Sequence, residues 1–451
     1  MGREEALAEK VGEYNQFDQS SQELSFFQRN FYRPSDHDRE GAIQHRFSLL
    51  SRGALICAGG FCIIMLAVLA TLLGVFLDRH HKQVEYMRRM PVRQALVANF
   101  PDPTILQHNG TWYAFATNNA AGILEQPTNS SSYEYGTSNV QVATSTDFVN
   151  WTLLSSSYDP LPRTGEWVQQ GLTERPPPIP RANVWAPAVL QRPSDGKFIM
   201  YYSASASNAT RSHCLGGAIS NTSSPLGPYE PLPTPLACPI PAGGAIDPAT
   251  FVDTDDSIYV LWKVDGNNVG HGGSCGNMVD PQVPTPIRLQ RMRSDGVTPD
   301  GEPITILDRT KDDGPLVEAP ELVKSKEGVY FLFFSSGCTR APTYDLKYAW
   351  SYNISGPYTR AALPLLSTGD WGLLAPGSVG VARAEEDVNG TEVWRMAFHA
   401  RVTTNFGRVR SMWTAGLTFN GTAAFCRRFI LRRRRGDVLA WEGARRALMR
   451  L

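Results

Sequence analysis

Two hydrophobic patterns divide the chain. Residues 53–77 carry no charge, running from Gly53 through Ile56, Ile63 and Leu66 to Leu77, and Arg52 and Asp78-Arg79 bracket them. About 20 apolar residues span a bilayer core, so this stretch predicts a single transmembrane helix. A cleaved signal sequence would have an apolar run of roughly 7–15 residues and a short leader, whereas here 52 mostly polar residues come first. From about Asn99 the pattern changes to short apolar strands in repeating units. Each unit opens on an acid or alanine followed by proline: Asp102-Pro103, Ala186-Pro187, Asp247-Pro248, Ala319-Pro320 and Ala375-Pro376. A polar turn and an aromatic-rich strand follow, such as Trp112-Tyr113-Ala114-Phe115 or Tyr330-Phe331-Leu332-Phe333-Phe334.

The prolines recur at intervals of 56 to 84 residues, room for about four short strands each. Units of that size stack around an axis because one strand pair cannot bury both faces. The pattern predicts an all-β fold, a five-bladed β-propeller preceded by a single transmembrane helix. A β-sandwich is the alternative, but it gives no reason for the fivefold register. The reading assigns 1–52 to a disordered cytoplasmic tail, 53–77 to the anchor, 78–98 to a juxtamembrane stalk, 99–421 to the propeller and 422–451 to a basic tail. After Thr418-Phe419-Asn420-Gly421 no propeller-like strand is expected, because nine arginines crowd the last 25 residues.

Composition narrows the partners. Lys plus Arg and Asp plus Glu number 43 each, for zero net charge, which lacks the basic footprint of a nucleic-acid binder. Charged residues are 19% and aromatics 10%, with 39 Gly and 32 Pro, a profile of turn-rich β-structure rather than disorder or coiled coil. Composition assigns no oligomeric state. Eight glycosylation sequons begin at Asn109, Asn129, Asn150, Asn208, Asn221, Asn353, Asn389 and Asn420, and none precedes the apolar span. They predict a type II membrane protein with an extracellular or lumenal domain, although basic residues near the span slightly favour the opposite orientation. Cys57 and Cys62 lie in the span; of the five beyond it, Cys214–Cys238 and Cys275–Cys338 are the expected disulfides, with Cys426 left over. No Cys/His cluster has zinc spacing.

The first strand of a propeller blade lines the channel, so the blade entrances converge on one mouth. Three carry an acid there: Asp102, Asp247 and Glu318. A single acid before proline reads as a turn residue, but three facing one funnel repel one another at a cost that decoration does not explain. Blades three and four are neighbours, so the charge of Asp247 is expected to keep Glu318 protonated, as a general acid requires. Asp102, across the channel, is expected to stay ionised as a general base. Two carboxyls separated by a water match the inverting glycosidase layout, about 6.5–9.5 Å apart. Trp185 reads either as a stacking face for a sugar ring or as a core residue. His399 reads either as pointing up the channel toward a water or ion, or as a satisfied buried histidine. Arg401 and Arg340 read as contacts to sugar hydroxyls or as surface arginines, and His271 is assigned no role.

At these residues the chain resembles glycoside hydrolase family 43, the five-bladed arabinanases, arabinofuranosidases and xylosidases. The matching pieces are Phe100-Pro101-Asp102-Pro103, Asn183-Val184-Trp185-Ala186-Pro187, Ala245-Ile246-Asp247-Pro248, Val317-Glu318-Ala319-Pro320 and Phe398-His399-Ala400. The resemblance implies Asp102 as general base, Glu318 as general acid and Asp247 as the residue that tunes and orients the acid. It implies inversion without an essential redox cofactor, and a hydrated ion, often calcium, held in the channel with the help of His399. The expected activity is cleavage of α-L-arabinofuranosidic linkages in arabinan or arabinose side chains, with an oligo- or polysaccharide as partner. A β-xylosidase and a membrane-tethered carbohydrate-binding propeller without turnover are the alternatives; a binding module has no use for a buried acid pair. Ala188 stands where many relatives carry an acid, and the anchored N-terminus resembles fungal members of the family.

Overall fold

The computed structural model describes residues 61, 63–79, 90–119, 138–155, 158–172, 180–385, 392–402 and 409–427. The expected tail 1–52, residues 428–451, Cys57 and Cys62 lie outside them. The chain divides into a small unit, Ala8–Met90, and a large unit that holds the residues from Pro91 onward. In the small unit residues 61 and 63–79 are helical. Among the described residues no helix is long and apolar enough to cross a membrane; residues 53–60 and 62 of the expected span lie outside them.

The large unit is a five-bladed β-propeller, as the repeats predict. Blade I comprises Thr104–His108, Thr111–Ala116, Gln141–Ser145 and Thr152–Leu153; blade II, Asn183–Gln191, Phe198–Ala206, Ala209–Ser220 and Tyr229–Pro231. Blade III comprises Ala245–Val252, Ile258–Val264, Ile287–Met292 and Ile304–Leu307; blade IV, Val317–Lys324, Tyr330–Ser336, Asp345–Ser351 and Thr359–Arg360. Blade V is built on Gly377–Arg383, Trp394–Arg401 and Arg410–Asn420. Core clusters sit between neighbouring blades: Phe115, Val142, Phe198 and Tyr202 join I to II, and Leu261, Leu289, Leu322 and Phe334 join III to IV. Each such side chain contributes about 1.5–3 kcal/mol by leaving water, so the stacking of sheets holds the ring.

Blade V corrects two boundaries drawn from the sequence. Val92–Asn99, all but its last residue assigned to a stalk, is a strand that pairs antiparallel with Arg410–Asn420, Val92 opposite Ala415 and Asn99 opposite Ser411. Ala423–Arg427, assigned to a strandless basic tail, pairs with the other half of the same strand. The N-terminal strand therefore completes the last blade and closes the ring.

Each blade enters the channel through the same kink. Asp102, Ala186, Asp247, Ala319 and Ser378 have φ of 54°, 44°, 56°, 50° and 51°, the left-handed region that non-glycine residues avoid, at a cost of order 1–3 kcal/mol each. In blades II to V a β-bulge accompanies it, for example between Ile246 and Ala249 and between Glu318 and Glu321. The fivefold alignment by proline holds for blades I to IV and slips in blade V. There the equivalent turn is Ser378-Val379-Gly380, three residues beyond Ala375-Pro376. The Ser378 amide donates to Ser335 Oγ at 2.8 Å, as other entrance amides donate to the preceding blade, and Ser378, Val379 and Gly380 line the central cavity beside Asp102, Ala186, Asp247 and Ala319.

Both expected disulfides, Cys214–Cys238 and Cys275–Cys338, are present, and Cys426 is free. Asn109, Asn150, Asn208, Asn221, Asn353 and Asn420 are exposed; Asn129 and Asn389 lie outside the described residues.

Candidate active site

The entrance kink explains how three acids distant in sequence meet. In blades I and III the left-handed residue is itself the acid, Asp102 or Asp247, and it faces the cavity. In blade IV that residue is Ala319, and the acid stands one position earlier. Glu318 thus occupies the place of Trp185 in blade II and Gly377 in blade V. Asp247 feels the charges of both Glu318 and Asp102, and its Oδ2 accepts the Ala319 amide at 3.0 Å.

Asp102 is built as an anion. Thr117 Oγ1 donates to its Oδ2 at 2.6 Å and Arg410 Nη1 donates to its Oδ1 at 2.9 Å. His399 Nδ1 lies 3.3 Å from Oδ1 and accepts the Asp102 amide at 3.2 Å. Burial opposes the charge, yet Arg410, His399 and Thr117 outweigh it and hold the carboxyl well below the ordinary range. His399 is fully buried, and burial holds its proton affinity down to about 4, so the ring is neutral near pH 7.

The second carboxyl group is a coupled pair. Lys263 Nζ lies 3.3 Å from Glu318 Oε2 and 3.0 Å from Asp265 Oδ1, and Tyr344 Oη donates to Glu318 Oε1 at 2.8 Å. Burial first, and then the charge of Glu318, push Asp247 well above the ordinary carboxylate range against the pull of Lys263. The sequence reading placed the retained proton on Glu318; the carboxyl whose proton affinity the structure raises is Asp247. Its own burial, which no spacing in the sequence displays, is the leading cause.

Other expected residues divide. Trp185 is half-buried at the blade II entrance, stacked on His213 with centroids 3.9 Å apart, and donates to Asn119 Oδ1 at 2.8 Å. His399 lies against Asp102; its Nε2 is buried without a hydrogen-bond partner. Arg401 is 3% exposed and donates to the Thr339 carbonyl at 2.8 Å. It braces the loop next to Cys338, which corrects its assignment to sugar hydroxyls. Arg340 is exposed, and His271 lies in an exposed loop against the Pro281 carbonyl.

Sequence reasoning missed Thr117, Lys263, Tyr344 and Arg410. Lys263 carried a readable signal, a lone charge inside the apolar strand Ile258–Val264. Arg410 and Tyr344 carried none, since an arginine beginning a strand and a tyrosine ending a loop are ordinary. Among the described residues no group of three or more His, Cys, Asp or Glu gathers to hold a metal. Calcium takes six to eight oxygen ligands, so the one free donor of His399 fits only an ion that keeps its water.

Comparison with known proteins agrees with this geometry. Over 248 residues the chain is 28% identical to the extracellular endo-α-(1→5)-L-arabinanase of Thermotoga petrophila, covering 50% of this chain and 47% of that one. Over 288 residues it is 25% identical to the extracellular endo-α-(1→5)-L-arabinanase 2 of Bacillus subtilis, covering 57% and 49%. The chain thus spans about half the length of these curated relatives. A thermostable family-43 glycoside hydrolase shares the fold with a TM-score of 0.55 at 22% identity, covering 74% of this chain and 95% of that one. An endo-1,4-β-xylanase from Bacteroides thetaiotaomicron does so with a TM-score of 0.53 at 20%, covering 76% and 99%. Residues 92–417, from the closing strand to the last blade, match the family model described as Glycosyl hydrolases family 43, and the chain belongs to that family.

Proposed function

We propose that the chain is an inverting glycoside hydrolase acting on α-L-arabinofuranosidic linkages in arabinan or arabinose-bearing polysaccharides. The observation that carries it is the division of the carboxyls into an anion, Asp102, held by Arg410, and a coupled pair, Asp247 with Glu318, whose raised member is Asp247. One site then offers a base and a proton-holding acid group together. In this reading Asp102 takes a proton from water as the water oxygen attacks the anomeric carbon. The glycosidic carbon–oxygen bond breaks, and Glu318 passes the proton of the pair to the departing oxygen. Asp247 tunes and orients Glu318. Trp185 offers a ring face at the funnel. The arabinan assignment is supported by the arabinanases that the chain resembles.

Digestion of linear arabinan with product sizing, and of xylan alongside, tests substrate and mode of cleavage. Release from xylan alone would move the assignment to a xylosidase, and binding without release to a carbohydrate-binding propeller. With chromogenic arabinofuranosides, Glu318→Ala is expected to lose about 10²–10⁴-fold on poor leaving groups and far less on good ones. Equal loss on both rejects Glu318 as the acid. An anomer retained in the product, followed by NMR, rejects inversion.

Calcium belongs to the same proposal: His399 Nε2, the ring nitrogen left over from the Asp102 contact, would face the hydrated ion. We also propose that 53–77 anchors the chain with the propeller outside the cytoplasm. Supporting this are exposed apolar side chains such as Leu66, Leu69 and Phe76, the exposed sequon asparagines and two disulfides. Resistance to alkaline extraction and a mobility shift on deglycosylation test it.

A further inference from the structure

Blade III breaks a rule that the other blades keep. At the end of each second strand, Thr117, Ser203, Ser335 and His399 accept the entrance amide of the following blade. The amides are those of Ala186 at 2.8 Å, Asp247 at 3.1 Å, Ser378 at 2.8 Å and Asp102 at 3.2 Å. The equivalent residue of blade III is Lys263, which has no acceptor; the Ala319 amide turns to Asp247 instead. Lys263 is fully buried, and its ammonium reaches Asp265 and Glu318. A buried charge is costly unless paired, and a serine there would satisfy the fold. Its placement calls for a functional account.

Tyr344 approaches the same carboxyl from blade IV. Its ring lies parallel to His399 at 6.0 Å, and its hydroxyl donates to the Glu318 oxygen that Lys263 does not touch. Gly377 makes room for it, since a Cβ there would lie 2.2 Å from the Tyr344 ring. Cys275–Cys338 ties the loop that follows Lys263 and Asp265 to the segment that ends in Tyr344.

We propose that Lys263 and Tyr344 are positioning residues for the acid step, a clamp that holds the two oxygens of Glu318 from neighbouring blades. This rests on Glu318 being the acid. The groups facing that carboxyl are Asp247, Lys263 with its partner Asp265, and the Tyr344 hydroxyl; Asp102, neutralised by Arg410, lies farther off. Lys263 and the Tyr344 hydroxyl each donate to one carboxylate oxygen, so losing either removes a partner of the charged form. The clamp thereby aims the acid and keeps its proton transferable.

Two readouts on the full chain test the clamp. Tyr344→Phe, which keeps the ring, is expected to move the alkaline limb of the kcat/KM profile upward by about half to one pH unit. Lys263→Met should move it further up. The Glu318 carboxyl, followed by ¹³C NMR with glutamate labelling and Glu318→Gln as the blank, should titrate with the same displacements whether or not substrate turns over. A titration unmoved in Tyr344→Phe overturns the clamp, even if Lys263→Met fails to fold. Equal loss in Glu318→Ala on good and poor leaving groups overturns the acid assignment and leaves the NMR test readable.

Discussion

Glu321 puts a carboxyl against a central cavity of about 20 Å³, room for about one water. It accepts a hydrogen bond from the Val381 amide at 3.1 Å. Burial raises its proton affinity to about 8. The folded chain therefore keeps a proton that the unfolded chain releases above about 4.5. The stability this contributes is complete below that pH and is lost as pH rises through about 8. Glu321→Gln, which keeps an acceptor for Val381, is expected to match the wild type near pH 4. By pH 9 it should be the more stable by on the order of a few kcal/mol. Urea unfolding at both pH values measures it; identical curves at pH 9 would refute the assignment. The same scale shows what the sequence could disclose of the site. The three acids were legible because Asp102 and Asp247 directly precede a proline at a repeat start and Glu318 stands two residues before one. Their division of labour was not, because it depends on Arg410, about 300 residues from Asp102, and on the burial of Asp247.

Strands and turns show where the repeat signal ends. Four entrances were legible from proline and the following aromatic strand. The fifth misled because Pro376 precedes the true turn, at Ser378, by two residues. Val92–Asn99 was invisible for a different reason. It buries Val92 and Leu96, four apart, with irregularities on either side of Leu96, so the period-2 alternation that marks a strand is missing. The same entrance makes Gly377 a point of mechanical dependence. Gly377→Ala sets a methyl against the Tyr344 ring and 2.7 Å from Ser335 Oγ. Overpacking of this kind costs about 1–3 kcal/mol. We expect a Tm loss of several degrees together with an activity loss, because the displaced ring carries a Glu318 contact. A variant with wild-type activity and Tm would show that blade V has slack that the structure lacks.

At the scale of the whole propeller, covalent ties and the closing strand answer the weakness of a ring, which opens wherever one contact between blades fails. Cys275–Cys338 bridges 63 residues of sequence and joins blade III to blade IV beside Glu318. Replacing both cysteines by serine should lower stability by about 2–4 kcal/mol, read by thermal unfolding. Unchanged unfolding would deny the bridge a structural share. Closure itself has a temporal side. Val92–Asn99 is the first propeller strand to leave the ribosome, and its partner, Arg410–Asn420, is among the last. For the whole of synthesis between them it is an unpaired edge with Leu96 and Val97 in the open, the kind of segment that chaperones shield and aggregates recruit. The yield of active protein should therefore depend more on how this early strand is protected than on how well the five blades pack.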